Sequence, residues 1–417
     1  MALHWQILIA LCLSVITGLM LEQDSSILGM PLLPILVFIG TLFLNALKML
    51  IVPLIMASII TGMMGLTGDT LGRLGSKTIL YYATTSLVAI LIGLFFVNLF
   101  QPGVVDGEPA RHIIGLSSET AVVVDRVGDK GAADIAEVLL RMVPPNIVTA
   151  AANGQMLGLI FFSLIFGYFI SKLEGGPARV QKDFWQGLLD IMMMMTELVM
   201  KFAPIGVYAL VTKVLLISGV DAFEPLAFFF LTVILALAVH LLIFLPLILR
   251  YLARVSPGKH FKAMLPALLT AFSTSSSSAT LPITIDCVEK RAGVSNQVAG
   301  FTLPLGATIN MDGTALYECV AAMFIAQAYG ISLDITTQFT IVLVALLTSI
   351  GVAGIPSASL VAITIILAAI GLPLEGIGLI LVVDRVLDMC RTSVNVFSDS
   401  CAAVTIARLE GEETKVV

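Results

Sequence analysis

Asp384-Arg385-Val386-Leu387-Asp388-Met389-Cys390-Arg391-Thr392-Ser393-Val394-Asn395-Val396-Phe397-Ser398-Asp399 lies between two apolar runs, Leu379 to Val383 and Ala402 to Ala407. Wound as a helix, it places Asp384, Asp388, Arg391, Asn395 and Asp399 at steps of four, three, four and four. That spacing stacks five polar groups on one face. An ionised side chain in hydrocarbon costs about 2.5–3.5 kcal/mol on insertion scales, so such a face belongs on a protein interior or a watery cavity. An amphipathic surface helix is the competing reading, and the apolar flanks speak against it.

The rest of the chain is equally apolar. Of 417 residues 58% are hydrophobic and only 12% charged, against about 25% charged in a soluble domain, which implies a polytopic membrane protein. The net charge of −6 comes without any Lys/Arg block, so no nucleic-acid partner is expected. Cys12, Cys287, Cys319, Cys390 and Cys401 are scattered without CxxC pairs, which fits reduced packing residues rather than bridges or zinc ligands. The first apolar run starts at Trp5 with no Lys or Arg before it and reads as a first span rather than a cleaved signal.

Spans need about 20 apolar residues each, and candidates fall near 5–21, 32–66, 78–101, 145–171, 184–217 and 223–250. Several exceed a bilayer's needs, so they must tilt or bend, with Pro34, Pro53, Pro204 and Pro246 as bend points. The basic loops with Arg73 and Lys77, with Lys172, Arg179 and Lys182, and with Arg250, Arg254, Lys259 and Lys262 share one side. Glu22, Asp24, the stretch 102–141, Asp221 and Glu224 lie opposite. The positive-inside rule puts the amino terminus and the basic loops in the cytoplasm and makes the stretch after Gln101-Pro102-Gly103 an external loop.

After Arg254 the hydrophobic runs are broken by small residues. Ser273 to Ser278 interrupts one run and Gly351-Val352-Ala353-Gly354-Ile355-Pro356-Ser357-Ala358-Ser359 another, and each is followed by a polar-bearing helix, the first around Asn310 to Thr314. Backbone leaves helical geometry at membrane depth only where it is buried in protein or lines a cavity. Paired interruptions in two halves point to a transporter site near the midplane. Each tip alone reads equally as an ordinary loop; the pair beside charged helices does not.

On the inward faces Asp312, Asp384, Asp388 and Asp399 stand against Arg391, four negative charges to one positive. Arg385, about 100° around the helix from Asp384, is expected to face elsewhere. The excess must be met by protons or bound cations, with Asn310, Thr314, Thr392, Asn395 and the free carbonyls of broken segments as oxygen ligands. No His/Cys cluster suggests zinc or copper, and His240 reads as a lone packed residue. Arg391 offers a planar fork for a carboxylate and Asp388 can receive an ammonium. Together they describe an amino acid with an extra carboxylate, the alternative being an Asp388–Arg391 salt bridge without ligand.

These residues resemble the dicarboxylate/amino acid:cation symporter family, which includes archaeal aspartate transporters and animal excitatory amino acid transporters. The likeness runs through Lys48 to Pro53, Gln101-Pro102-Gly103, the serine tip with Ala279-Thr280-Leu281-Pro282, Asn310 to Thr314, Ala353 to Pro356, and Asp384 to Asp399. It implies an all-α polytopic fold of eight transmembrane helices plus two re-entrant hairpins, with inverted repeats, assembled as a homotrimer. A scaffold would comprise 1–76 (spans 1 and 2) and 145–219 (spans 4 and 5, with trimerisation). A mobile transport domain would comprise 77–101 (span 3) and 220–417, which holds span 6, hairpin 1 at about 259–290, span 7, hairpin 2 at about 335–370 and span 8. The external loop would be 102–144.

The resemblance also implies roles. Substrate would be held by Ser277, Thr314, the Ile355 backbone, Asp388, Arg391, Thr392 and Asn395. One sodium would use Gly306, Asn310, Asn395 and Asp399, a second Thr308, Ser349, Ile350 and Val352, and a third Tyr82, Thr85, Ser86, Asn310 and Asp312. Glu318 would carry a proton and permit potassium counter-transport, unless it only hydrogen-bonds its neighbours. Relatives carry an arginine at one of two positions where this chain has Ser275 and Met389, both uncharged, so Asp388 is not balanced from either position in the empty carrier.

The expected activity is therefore uptake of L-glutamate or L-aspartate, driven by sodium as coupling ion without a cofactor, by elevator-type alternating access in a prokaryotic plasma membrane. The alternative within the family is proton-coupled transport of glutamate or C4-dicarboxylates. An enzyme is not expected, since neither Gly-x-Ser-x-Gly nor His-Glu-x-x-His is present. A pure channel would pass current without concentrative uptake.

Overall fold

The computed structural model describes residues 3–21, 25–27, 30–64, 71–110, 140, 143–153, 156–218, 223–331, 333–349, 358–372 and 376–417. The protein is mostly helical. Among the described residues the exceptions to an all-α reading are two minimal antiparallel ladders, β1 (Ser26–Ile27) with β2 (Met30–Pro31), and β3 (Val104–Val105) with β4 (Glu108–Pro109).

The first two expected spans fall on the helices α1 (Leu3–Met20) and α2 (Leu32–Met64), the latter running unbroken through Pro53. The third, α3 (Leu71–Phe100), begins seven residues before the expected 78. Beyond its first turn, Lys77 Nζ meets Glu410 Oε1 at 2.6 Å.

The expected 145–171 span is divided into α4 (Ile147–Ala152), capped by the Asn146 side chain, and α5 (Met156–Lys172). The expected 184–217 span is also two helices, α6 (Gly175–Lys201) and α7 (Ala203–Ser218). The chain turns at Phe202, whose N–H bonds back to Val199 O at 3.0 Å. Pro204, lacking an N–H, then fits the first turn of α7.

The sixth run is helical from α8 (Phe223–Val239) through a π turn at His240–Phe244 into α9 (Leu245–Tyr251). A π turn inserts one residue into the helical ladder and relieves the N–H that Pro246 cannot supply. Next come α10 (Pro257–Thr274) and α11 (Ser277–Asp286), joined by Ser275 and Ser276, with a second π turn at Cys287–Ala292. The remaining helices are α12 (Asn296–Ile309), α13 (Asp312–Ala328), α14 (Ile335–Ser349), α15 (Ala358–Ile370) and α16 (Ile377–Leu409).

Helix α13 sits at the centre. Every residue in it but Gln327 is buried, and it is surrounded by α3, α8, α14, α15 and α16; an apolar circumference needs that cover. Helices α1, α2, α5, α6 and α7 pack mainly on one another, and α3 with α8 to α16 form a second group. Phe38, Leu42, Leu80, Phe95, Leu231 and Leu242 face outward. A belt of large apolar groups on this scale would be a liability in water and suits hydrocarbon. Leu74–Phe100 and Glu224–Tyr251 are long and apolar enough to cross a membrane. All five cysteines are free, Cys12 alone being exposed.

Candidate functional site

The quoted stretch is one continuous part of α16, and all five of its aligned polar residues are buried. Arg391 is its centre. Its guanidinium is fully buried and Nη2 donates to Asp384 Oδ1 at 3.0 Å and Asp388 Oδ1 at 2.9 Å, while Nη1 donates to Ser359 Oγ at 2.7 Å. The guanidinium carbon lies 3.8 Å from the centre of the Tyr317 ring, a cation–π contact strengthened by the absence of water.

Arg385 does not face elsewhere. It is 7% exposed, and Nη1 comes within 3.7 Å of Asp388 Oδ2. Its Cα is rotated about 100° from that of Asp384, but the long side chain swings back along the i, i+3 direction. The charge balance changes accordingly. Asp384 and Asp388 are met by two arginines, and of the four aspartates Asp312 and Asp399 are left with no arginine or lysine bonded to them among the described residues.

Those two carboxylates sit where the helix breaks between α12 and α13. Asn310 and Met311 leave helical geometry with ψ of 80° and 59°. The break opens because Asn395 Oδ1, from α16, accepts the Gly313 N–H at 2.8 Å and the Thr314 N–H at 3.4 Å, serving the first turn of α13 in place of a local cap. Gly313 permits this: a Cβ there would meet the Arg391 carbonyl at 2.7 Å. Asn395 Nδ2 donates to Thr314 Oγ1 at 3.0 Å.

Asp312 Oδ1 accepts from Ser86 Oγ at 2.7 Å, and Oδ2 accepts from Ser398 Oγ at 2.6 Å and faces His240 Nε2 at 3.0 Å. Asp399 Oδ1 accepts from Asn310 Nδ2 at 2.9 Å, and the same amide donates to Ser398 Oγ at 3.1 Å. Thr85 Oγ1 lies 3.3 Å from Asn310 Oδ1. Gly306 presses against Asp399 so closely that a Cβ would overlap its carboxylate and meet the Tyr82 hydroxyl at 2.8 Å. Tyr82 itself donates to Thr302 O at 2.8 Å.

Thus Thr85, Asn310, Asp399, Ser398, Asp312 and Ser86 form one hydrogen-bonded group, joined through Ser398, with Gly306 and Tyr82 beside it. This is a set of hard oxygen donors around two buried carboxylates, chemistry that suits an alkali cation better than a soft metal. Ser277 is buried as the first residue of α11, beyond Ser275, which holds the left-handed conformation at φ 51°. Non-glycine residues adopt that conformation rarely and at a cost. Thr392 donates to Asp388 O at 2.8 Å.

Glu318 is fully buried and accepts from Thr348 Oγ1 at 3.0 Å; its Oε1 has no partner among the described residues. Of the second expected sodium group, the Thr308 side chain is exposed and bonds Leu305 O, and Ser349 ends α14. Ile350, Val352 and Ile355 lie outside the described residues.

Sequence reasoning missed Tyr317, Ser359 and His240 as members of the site, and gave Asp384, Arg385 and Ser398 no partner. Asp384 had a signal in its helical spacing. Arg385 meets Asp388 on its own helix, and Tyr317, Ser359, His240 and Ser398 touch the site across helices.

A model of the sodium:dicarboxylate symporter family matches residues 3–409. A proton/sodium-glutamate symport protein of Bacillus caldotenax is 34% identical over 98% of this chain and 95% of its own length. A proton/glutamate-aspartate symporter of Escherichia coli (strain K12) is 34% identical over 98% and 93%. Excitatory amino acid transporter 3 of Mus musculus is 35% identical over 98% and 86%. With nearly its whole length matched and a buried arginine–carboxylate cluster beside an unwound, oxygen-rich break, the chain belongs to the sodium:dicarboxylate symporter family.

Proposed function

We propose that the chain is a secondary symporter that takes up glutamate or aspartate, with sodium as the coupling ion. The observation that carries this is the division of charge: a neutral arginine–aspartate quartet around Arg391 beside two carboxylates, Asp312 and Asp399, with no arginine or lysine bonded to them among the described residues. The quartet can exchange internal partners for a zwitterion. Arg391 turns to the ligand's side-chain carboxylate, and Asp388 turns to its ammonium. Ser277, Thr314, Thr392, Asn395 and the Ile355 backbone would complete the pocket.

The two remaining carboxylates would hold cations with neutral oxygens: Asp399 with Gly306, Asn310 and Asn395, and Asp312 with Tyr82, Thr85, Ser86 and Asn310. A further site would use Thr308, Ser349, Ile350 and Val352. In each, sodium is cargo. Coupling arises when each ligand favours the same closed state, because every affinity then depends on the others.

The two packing groups support the scaffold and transport-domain division at 1–76 and 145–219 against 77–101 and 220–417. The serine turn between α10 and α11 and the segment between α14 and α15 would be the tips of re-entrant hairpins. The second tip would be the gate of an elevator-type carrier. We further propose a multi-pass membrane protein with a cytoplasmic amino terminus, assembled as a homotrimer, with Glu318 as the group that exchanges a proton or admits potassium.

One observation favours a second reading. Because Arg385 also approaches Asp388, that carboxylate has cationic partners without an ammonium, an arrangement that also suits a proton-coupled carrier of glutamate or C4-dicarboxylates. Radiolabelled aspartate, glutamate and succinate uptake into proteoliposomes decides between them. An inward sodium gradient that concentrates the amino acids supports the first; uptake driven by a proton gradient without sodium supports the second.

A further inference from the structure

We propose that His240 is a positioning residue for cation binding: its Nε2–H locks the Asp312 carboxylate so that Oδ1 is presented to the ion. This rests on the cation-coupled reading above and adds a residue, on a different helix, that the proposed ligand sets do not contain.

Four observations carry it. His240 is fully buried 72 positions away in sequence, and its Nε2 lies 3.0 Å from Asp312 Oδ2. A carboxylate oxygen accepts, so the nitrogen facing it carries the proton, and Nδ1 has no partner among the described residues. His240 opens the π turn of the sixth run, where one inserted residue re-aims the helix face. The Phe244 ring lies 5.3 Å from the imidazole at 28°, which fixes the plane of the ring.

The consequence for Asp312 is an asymmetric carboxylate. Oδ2 receives two donors, Ser398 and His240, whereas Oδ1 receives Ser86 alone. Ser86 is itself a proposed ligand, and Thr85, its neighbour in sequence, bonds Asn310. A carboxylate fixed at one oxygen offers the other in a single direction. Without His240 it can turn about its Cβ–Cγ bond and spread its lone pairs between the ion and Ser398. Partners that orient a ligand in this way typically contribute about 10–100-fold to ion affinity.

The test uses the purified full-length chain without amino acid. Its thermal unfolding midpoint is followed as sodium replaces choline at constant ionic strength, since a ligand that binds the folded state raises the midpoint in proportion to occupancy. We compare the wild type with His240→Gln, whose amide N–H can reach the same oxygen, and with His240→Ala.

The expected result is a half-saturating sodium concentration about 10–100-fold higher in His240→Ala and near wild type in His240→Gln. Aspartate affinity at saturating sodium should be little changed in both. Should His240→Ala not fold, His240→Met fills the space without a donor and is expected to show the same sodium shift. Wild-type sodium dependence in the Ala or Met variant, or equal impairment of Gln and Ala, would overturn the proposal and leave His240 as packing. A wild-type chain that sodium stabilises no better than choline would remove the cation reading itself, an outcome visible before any variant is made.

Discussion

Ser359 Oγ and Arg391 Nη1 are 2.7 Å apart, both buried, and join the second residue of α15 to the middle of α16. The guanidinium thus ties the carboxylate-rich face to the helix that follows the 350–357 segment. A hydrogen bond to a charged group contributes about 1.5–3 kcal/mol. Ser359→Ala should therefore lower the stability of the empty protein by roughly that range, read as a fall in its unfolding midpoint; an unchanged midpoint would mean the bond is unimportant.

Arg391→Cys should abolish uptake of glutamate and aspartate, because Arg391 is the cation that bonds Asp384, Asp388 and Ser359 directly, whereas Arg385 only approaches Asp388 at 3.7 Å. The variant also leaves Asp384 and Asp388 with Arg385 alone. Competition assays with neutral amino acids check whether the vacated volume admits them. Persisting transport of acidic substrates at wild-type affinity would take Arg391 out of the site.

Arg385→Gln removes the second cation near Asp388. The expected outcome is a shift in preference, measured as the ratio of aspartate to succinate affinity: Asp388 then depends on a ligand ammonium, so the ratio should rise by about tenfold, the equivalent of roughly 1.4 kcal/mol. Arg385→Lys should fall between. A constant ratio would show that the 3.7 Å approach is an incidental surface of the packing.

Asp399→Asn keeps the shape of the carboxylate and its contact with Asn310 but removes one of the two unmatched charges. Half-maximal sodium for uptake should rise about tenfold or more, as for the loss of a charged ligand. Replacing sodium by lithium gives a second check, since a smaller ion reports on the geometry of the same oxygens. If sodium dependence is unaltered, the cation lies elsewhere.

Glu318→Gln removes a titratable group while its amide can still meet Thr348. If Glu318 exchanges a proton or admits potassium, uptake in the variant should lose its dependence on external pH and internal potassium should no longer speed the return of the empty carrier. If both dependences survive, Glu318 serves only to bond Thr348.

The helical phase of Asp384, Asp388, Arg391, Asn395 and Asp399 was legible because periodicity is local: five residues at steps of three and four share a face whatever surrounds them. The same local logic exposed the break at Ser273–Ser278, since small hydroxylated residues interrupt an apolar run there, whereas the polar residues from Asn310 to Thr314 suggest a helix that the structure unwinds at Asn310 and Met311. It failed at Arg385, because angular position fixes where a Cα points and not where a long flexible side chain ends. It failed again at 145–171 and 184–217, which hydropathy joins and backbone hydrogen bonding separates at Asn153 and Phe202.

Length, apolar composition and the spacing of a few charges pointed by themselves to a helical membrane protein with an inward charged face suited to an acidic amino acid, and the resemblance of its motifs to a symporter family made that a carrier. Only the tertiary structure decided which carboxylates are already paired. Ser359 and Tyr317 reach Arg391, and His240, Ser86 and Ser398 reach Asp312, through contacts that cross as many as 226 positions of sequence. Such pairings depend on how helices lean on one another and on where a π turn or an unwound residue shifts their faces, and no short-range pattern encodes those angles.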